Sequence, residues 1–294
     1  MITFKWVHLI FLVFLFTSCN PKTSEQENPS KKTVEQAVEY ELPQMQDVIV
    51  KKDIPYQNIS DSTLNMDIYY PPDFNFNRTI PAIIIVYGFT NEGQIKFTGD
   101  QFRNWTVHIS WCKIIAASGI AAITYETVNP EDDLISLVKY INSNKDKLKI
   151  DGNNIGAYSC SANSPTALSN ILNNSNSFFK CAVIYYGIFL TEDFKYLSLI
   201  DSLSKNMGFM APVLFDPSSW GKDVPIMIVN AGIDDPLINQ SLTSFVNKAI
   251  NQNLPITLIN YPNGLHGFDY LNNNDTTRMI IKSTLDFWKF YLKQ

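Results

Sequence analysis

Short apolar runs alternating with helical repeats constrain this chain more than any other feature. Pro81-Ala-Ile-Ile-Ile-Val-Tyr87 is unbroken by polar residues, as expected of a strand covered on both faces. Ile120 to Tyr125, Ile155 to Ser159, Cys181 to Tyr186, Pro225 to Asn230 and Pro255 to Tyr261 are further runs of this kind. Leu64, Met66, Ile68 and Tyr70 alternate with polar Asn65 and Asp67, the period of a half-buried strand. Between the runs, Leu134, Leu137, Val138 and Ile141 fall at i, i+3, i+4 and i+7, and Leu242, Phe245, Val246 and Ala249 repeat the spacing. Met279 to Leu292 closes the chain as an amphipathic helix. Strands alternating with helices predict an α/β fold, a doubly wound and mostly parallel sheet with helices on both faces. Ligands of such sheets sit beyond the carboxyl ends of the strands.

The 294 residues suffice for one large domain with a short appendage. The net charge of -5 and the lack of a long basic run exclude nucleic acid as the expected partner. At the amino end, Lys5 precedes an apolar run from Trp6 to Phe16, interrupted by His8. A spanning helix needs roughly 20 apolar residues, whereas a run of this length suits the core of a signal peptide. It ends in Phe16-Thr17-Ser18-Cys19, which resembles the bacterial lipoprotein box with Phe in place of the usual Leu. The resemblance implies a signal peptide over 1–18, lipidation of Cys19 and export to a membrane surface facing the periplasm or the cell exterior. Acyl chains on Cys19 would anchor the protein without spanning the membrane. A plain secretory peptide is the alternative. Residues 19–46, polar and broken by Pro21, Pro29 and Pro43, read as a tether; 47–294 read as the folded domain.

The remaining cysteines, Cys112, Cys160 and Cys181, are odd in number and lie inside predicted elements, against a disulfide framework. No pair of them has metal-ligand spacing and the chain has 3 His, so no metal is expected. Residues 188–222 break the rhythm with Phe189, Phe194, Tyr196, Phe209, Met210, Phe215 and Trp220. Such an insertion after the sixth core strand reads either as a lid over the active site or as an excursion packed on the core.

Three segments carry the chemistry. Ile155-Gly-Ala-Tyr-Ser-Cys-Ser-Ala-Asn-Ser-Pro-Thr-Ala-Leu168 runs from a strand straight into a helix, with Ser161 at the junction. It resembles the nucleophile elbow of α/β-hydrolases, G-x-S-x-G, whose strained turn demands small residues two before and two after the Ser. Ser159 and Asn163 stand at those positions here; Ser is small, and Asn tolerates positive φ better than most residues. Cys160 is the second candidate nucleophile, as in enzymes resembling dienelactone hydrolase, but Tyr158 would then crowd the turn; Ser159 is the third. Tyr261-Pro-Asn-Gly-Leu-His266-Gly-Phe-Asp269 follows a predicted strand before the last helix, where the family's His sits. His8 lies in the leader and His108 in a helix beside Trp111, leaving His266 placed to act as base. An imidazole titrates near neutrality, which suits relaying a Ser proton. Ile228-Val-Asn-Ala-Gly-Ile-Asp234-Asp235-Pro236 resembles the family's acid loop, with Asp234 at the acid position and Asp235 as alternative or as helix start. An acid fixes the imidazole tautomer and stabilises the imidazolium.

Ser161, Asp234 and His266 follow one another in the α/β-hydrolase order, each after a different predicted strand. The resemblance covers roughly residues 60 to 290. Asp67-Ile-Tyr-Tyr-Pro-Pro72 is similar to the early strand of esterase-like members. Trp111 to Glu126, Ser159 to Leu168 and Pro255 to Asp269 resemble a dienelactone-hydrolase-like bacterial branch. It implies the α/β-hydrolase fold and a serine hydrolase cleaving a small-molecule carboxylic ester through an acyl-enzyme on Ser161, without a cofactor. The implied oxyanion hole combines the backbone N–H of Ala162 with that of Phe89, in a Tyr87-Gly88-Phe89 turn where many relatives have His-Gly. The rival reading is a non-catalytic binding lipoprotein that keeps the fold, to which the departures at Ser159 and Asn163 would belong.

Overall fold

A computed structural model describes residues 36–292, apart from 61, 174–176, 193, 195–199, 201–203, 205–207, 211 and 215. Cys19, the signal peptide over 1–18, most of the tether, Tyr196 and Phe215 therefore lie outside the described residues. The strands are β1 (Ile49–Ile59), β2 (Ser62–Tyr70), β3 (Ile80–Ile85), β4 (Ala121–Tyr125), β5 (Ile150–Cys160), β6 (Phe179–Tyr185), β7 (Ile226–Ile233) and β8 (Ile256–Leu265). They form one sheet in the order β1-β2-β4-β3-β5-β6-β7-β8. The β1–β2 and β2–β4 pairs are antiparallel and the other pairs parallel. The helices are α1 (Asn91–Thr98), α2 (Thr106–Ala117), α3 (Pro130–Ser143), α4 (Lys145–Leu148), α5 (Ser164–Leu172), α6 (Pro236–Asn251), α7 (Phe268–Leu271) and α8 (Asp275–Tyr291). This is the doubly wound α/β layering expected, and no helix among the described residues is long and apolar enough to cross a membrane.

The apolar runs become strands because helices cover both faces of the sheet centre. Ala82, Ile83, Ile84 and Ile85 of β3 and Ala121, Ala122 and Ile123 of β4 are all buried, each side chain gaining about 1.5–3 kcal/mol where it is a full aliphatic group. Both helical repeats turn their stripes inward: Leu134, Leu137, Val138 and Ile141 are buried in α3, and Leu242, Phe245 and Ala249 in α6. Asp235 begins α6 by accepting the Leu237 N–H at 2.8 Å.

The structure departs from the sequence reading at Asp67 and at the amino-terminal boundary of the domain. Asp67 was expected on a wet face of β2 but is buried. It accepts the Asp53 N–H at 2.8 Å and pairs with Arg103 at 3.2 Å, so a buried ion cluster replaces solvent there. The domain's packing begins before residue 46: Val38 is buried in the core, and the Glu39 N–H donates to the Asp269 carbonyl at 2.7 Å. The 188–222 segment divides its aromatic residues. Phe189 stacks on Phe245 of α6 at 4.7 Å between ring centroids and Trp220 packs tilted against the same ring at 5.2 Å, whereas Phe209 stacks on Phe89 at 4.8 Å.

Register places the site. Cys160 at the end of β5 pairs with Tyr185, and Ile233 at the end of β7 pairs with Leu265 at the end of β8. The residues that follow these strands, Ser161 and Tyr186, Asp234 and His266, therefore emerge side by side at the carboxyl edge.

Candidate active site

Ser161 leaves β5 with φ 53°, in the left-handed region. For a residue with a Cβ this conformation costs of order 1–3 kcal/mol and persists only when its surroundings enforce it. The fixed end of β5 and the single turn Ser161–Asn163 that leads into α5 enforce it here. The turn lifts the hydroxyl off the sheet: Ser161 Oγ lies 2.8 Å from His266 Nε2. The other ring nitrogen, Nδ1, lies 2.8 Å from Asp234 Oδ2. A carboxylate acts only as acceptor, so Nδ1 carries the proton and Nε2 accepts from Ser161. The Asp234 side chain is 3% exposed and that of His266 17%, so the pair lies at the floor of a cleft.

Close approach of two backbones makes the contact between Asp234 and His266 possible. A Cβ on Gly232 would lie 2.3 Å from the Pro262 carbonyl oxygen, so only glycine lets the ends of β7 and β8 meet this tightly. Asp235, one residue on, turns to the N-terminus of α6 instead. Of the other candidate nucleophiles, buried Ser159 donates to the Val86 carbonyl at 3.3 Å. Cys160 is partly buried; desolvation and the nearby Asp269 carboxyl push its thiol up to about 12, leaving it protonated and weakly nucleophilic at neutral pH.

Phe89 and Ala162 both line the cavity that opens onto Ser161 and His266. Their segments press together: a Cβ on Gly88 would lie 3.0 Å from the Ala162 oxygen and 3.1 Å from the Asn163 Cα. The Asn163 side chain joins them, its Oδ1 accepting the Gly88 N–H at 2.8 Å. The cavity holds about 120 Å³ and is walled largely by aromatic rings, including Phe97, Phe102, Trp105 and Phe209. His108 also lines it; its Nδ1 meets the Phe102 carbonyl at 2.8 Å, and burial pushes its imidazole down to about 4, so the ring is neutral.

Sequence reasoning gave no role to Tyr186 or Asp269. Tyr186, at φ 35°, sets its ring 4.7 Å from the His266 ring and donates its hydroxyl to Asp269 Oδ1 at 2.7 Å. Asp269 is fully buried, which raises its carboxyl above the ordinary range, although Trp111 Nε1 at 2.7 Å and the Tyr158 hydroxyl at 3.4 Å also donate to it. This network backs the imidazole with a fixed wall. The available signal was Asp269 itself, a carboxylate three residues after His266 in an otherwise apolar stretch. Among the described residues, no group of three or more His, Cys, Asp and Glu is set to hold a metal ion.

No protein-family model matches the sequence, and neither does any curated protein. Solved structures do resemble it. Esterase 2 of the planctomycete Thermogutta terrifontis is similar over 85% of this chain and 93% of its own, with TM-score 0.58 and 16% identity. The same enzyme phosphoramylated by tabun matches at TM-score 0.57 and 15% identity, over 85% of this chain and 95% of that one. MGS-M1, an α/β-hydrolase enzyme from a Medee basin deep-sea metagenome library, covers 85% of this chain and 100% of its own at TM-score 0.57 and 16% identity. At such identities the likeness concerns the fold, and with the strand order above it establishes the α/β-hydrolase fold for this chain.

Proposed function

We propose that this chain, an α/β-hydrolase by fold, is a serine hydrolase that cleaves a carboxylic ester. The observation that carries the reading is the unbroken relay from Ser161 Oγ to His266 Nε2 and from His266 Nδ1 to Asp234 Oδ2, 2.8 Å at each step. His266 takes the Ser161 proton as Oγ attacks the ester carbonyl; Asp234 holds the imidazole in the required tautomer and stabilises the imidazolium. The Phe89 and Ala162 amides stabilise the oxyanion. Collapse of the intermediate sends the His266 proton to the departing alcohol and leaves an acyl group on Ser161. Water, activated by the same imidazole, then releases the acid. The named neighbours add support by analogy: an esterase of this fold is known phosphonylated by sarin and with butyrate bound.

The aromatic walls of the cavity favour an ester bearing an apolar, ring-sized group, because planar rings gain about 0.5–1.5 kcal/mol from aromatic partners beyond the area they bury. Ile200 and Phe209 of the 188–222 segment border this space, which supports a lid-like role for that part of it. Turnover of phenylacetyl and butyryl p-nitrophenyl esters tests the reading. It requires activity in the wild-type protein, faster for the aromatic acyl group, and its loss in Ser161→Ala. Stoichiometric ester binding without turnover would favour the binding-lipoprotein reading instead.

We further propose export and anchoring through acylated Cys19, on the strength of Phe16-Thr-Ser-Cys19 behind the apolar run. Cys19→Ala should then release the protein from membranes or stall its processing. Unchanged fractionation and mature mass would refute anchoring.

A further inference from the structure

We infer that Asn163 and the segment Gly208–Met210 are positioning elements of the oxyanion hole, clamping the Gly88 backbone from two sides. The inference rests on the serine-hydrolase reading and goes beyond it, because neither element belongs to the triad or supplies an oxyanion donor.

The Met210 N–H donates to the Gly88 carbonyl at 2.6 Å, and the Thr90 N–H to the Gly208 carbonyl at 2.8 Å. Together they make a short antiparallel bridge centred on Phe89 and Phe209, whose rings stack at 4.8 Å and 26°. On the other side, Asn163 Oδ1 takes the Gly88 N–H. Gly88 therefore has both its backbone groups held, its N–H by the elbow and its carbonyl by the insertion. The peptide plane does the rest. In a trans peptide the carbonyl of one residue and the N–H of the next point in opposite directions. Fixing the Gly88 carbonyl on Met210 thus fixes the direction of the Phe89 N–H, the amide assigned to the oxyanion. Hydrogen bonds weaken steeply with misalignment, so a peptide free to rock would lose much of its stabilisation of the developing charge.

The local sequence fits this task. Gly208 has φ +61°, and a Cβ there would lie 2.3 Å from Thr90 Oγ1, so only glycine brings the insertion this close to the loop. Asn163 occupies the elbow position where the family pattern has glycine, and its side chain spans the gap to Gly88. A position that looked degraded in the sequence gains a purpose: it ties the nucleophile turn to the oxyanion loop.

The test uses an oxo-ester and its thiono analogue, in which sulfur replaces the carbonyl oxygen. Sulfur is a weak hydrogen-bond acceptor, so the thiono substrate draws little from the oxyanion donors. Asn163→Ala and Met210→Pro should lower kcat for the oxo-ester about 10- to 100-fold, part of the effect of losing a whole donor. The thiono kcat and both KM values should change by less than about threefold, as expected when an interaction made in the transition state is lost. Asn163→Gln, which keeps a neutral amide oxygen as acceptor for the Gly88 N–H, should recover part of the loss. If Met210→Pro fails to fold, the Asn163 pair decides alone. Equal losses for both substrates, or none in folded Asn163→Ala, would overturn the clamp. A wild-type protein that turns over neither substrate and is not labelled at Ser161 by a fluorophosphonate would instead overturn the underlying reading, and the clamp with it.

Discussion

Asp234 and Asp235 are neighbours in the chain with different partners: Asp234 Oδ2 meets His266 Nδ1 at 2.8 Å, and Asp235 Oδ1 accepts the Leu237 N–H at 2.8 Å. The pairing of Ile233 with Leu265 delivers the first to the imidazole, and the start of α6 takes the second. Asp234→Asn should lower kcat by about four powers of ten by favouring the wrong imidazole tautomer. Asp235→Asn should change it less than about threefold, since Asn caps helices as well as Asp does. Steady-state kinetics on one ester compares the two, and equal losses would mean that the carboxylates share the role.

Cys160 adjoins Ser161, but its thiol is pushed up to about 12. A group raised that far stays protonated across the working range of most enzymes, and the thiol is a poor nucleophile. Iodoacetamide at pH 8 should therefore leave esterase activity unchanged over an hour, and Cys160→Ser should retain fluorophosphonate labelling at Ser161. Rapid inactivation by alkylation, prevented in Cys160→Ser, would give the thiol a part in the chemistry.

Buried His108 is held neutral, with its imidazole pushed down to about 4 from 6.5. The unfolded chain binds a proton at this residue below about pH 6.5 and the folded one does not until about pH 4, so the stability at stake is complete above 6.5 and lost as pH falls towards 4. Between pH 7.5 and 4.5 the wild type should lose about 2–3 kcal/mol more than His108→Phe. Urea unfolding at the two pH values measures this difference. Equal losses in the two proteins would show that the residue does not titrate as described.

Arg103 holds together Asp67 at 3.2 Å and Glu126 at 2.9 Å, whose side chains are 4% and 12% exposed, and Asp53 at 2.9 Å, which is 65% exposed. Removing the cation strands two shielded carboxylates, whereas the exposed one adds little. Arg103→Ala should destabilise the fold by about 3 kcal/mol. Arg103→Lys should recover only part of this, because an ammonium lacks the fork that reaches several carboxylates. Urea midpoints compare them, and a neutral Arg103→Ala would dismiss the cluster as ornament.

The sequence revealed most of the parallel sheet because strands such as β3 are buried on both faces and so become unbroken apolar runs. It hid β1, where Tyr56 is the one buried residue and two register shifts break the pairing, so no period of two survives. Strand β5 begins at Ile150, and the apolar run read from Ile155 missed that start because the first residues of the strand include polar Asp151, Asn153 and Asn154. Ser161, Asp234 and His266 were legible as residues at strand ends, since local spacing marks such positions. The backing of His266 by Tyr186 and Asp269, and the hold of Met210 on Gly88, depend on contacts between segments far apart in the chain, which leave no local pattern.

The most direct test of the account is the intact mass and peptide map of the protein after brief exposure to a fluorophosphonate at pH 7.5. The triad requires one phosphonyl adduct per chain, located on Ser161, abolished in Ser161→Ala and strongly slowed in His266→Ala, where the hydroxyl has lost its base. An unmodified chain, or an adduct on Cys160 or on Ser159, would contradict it.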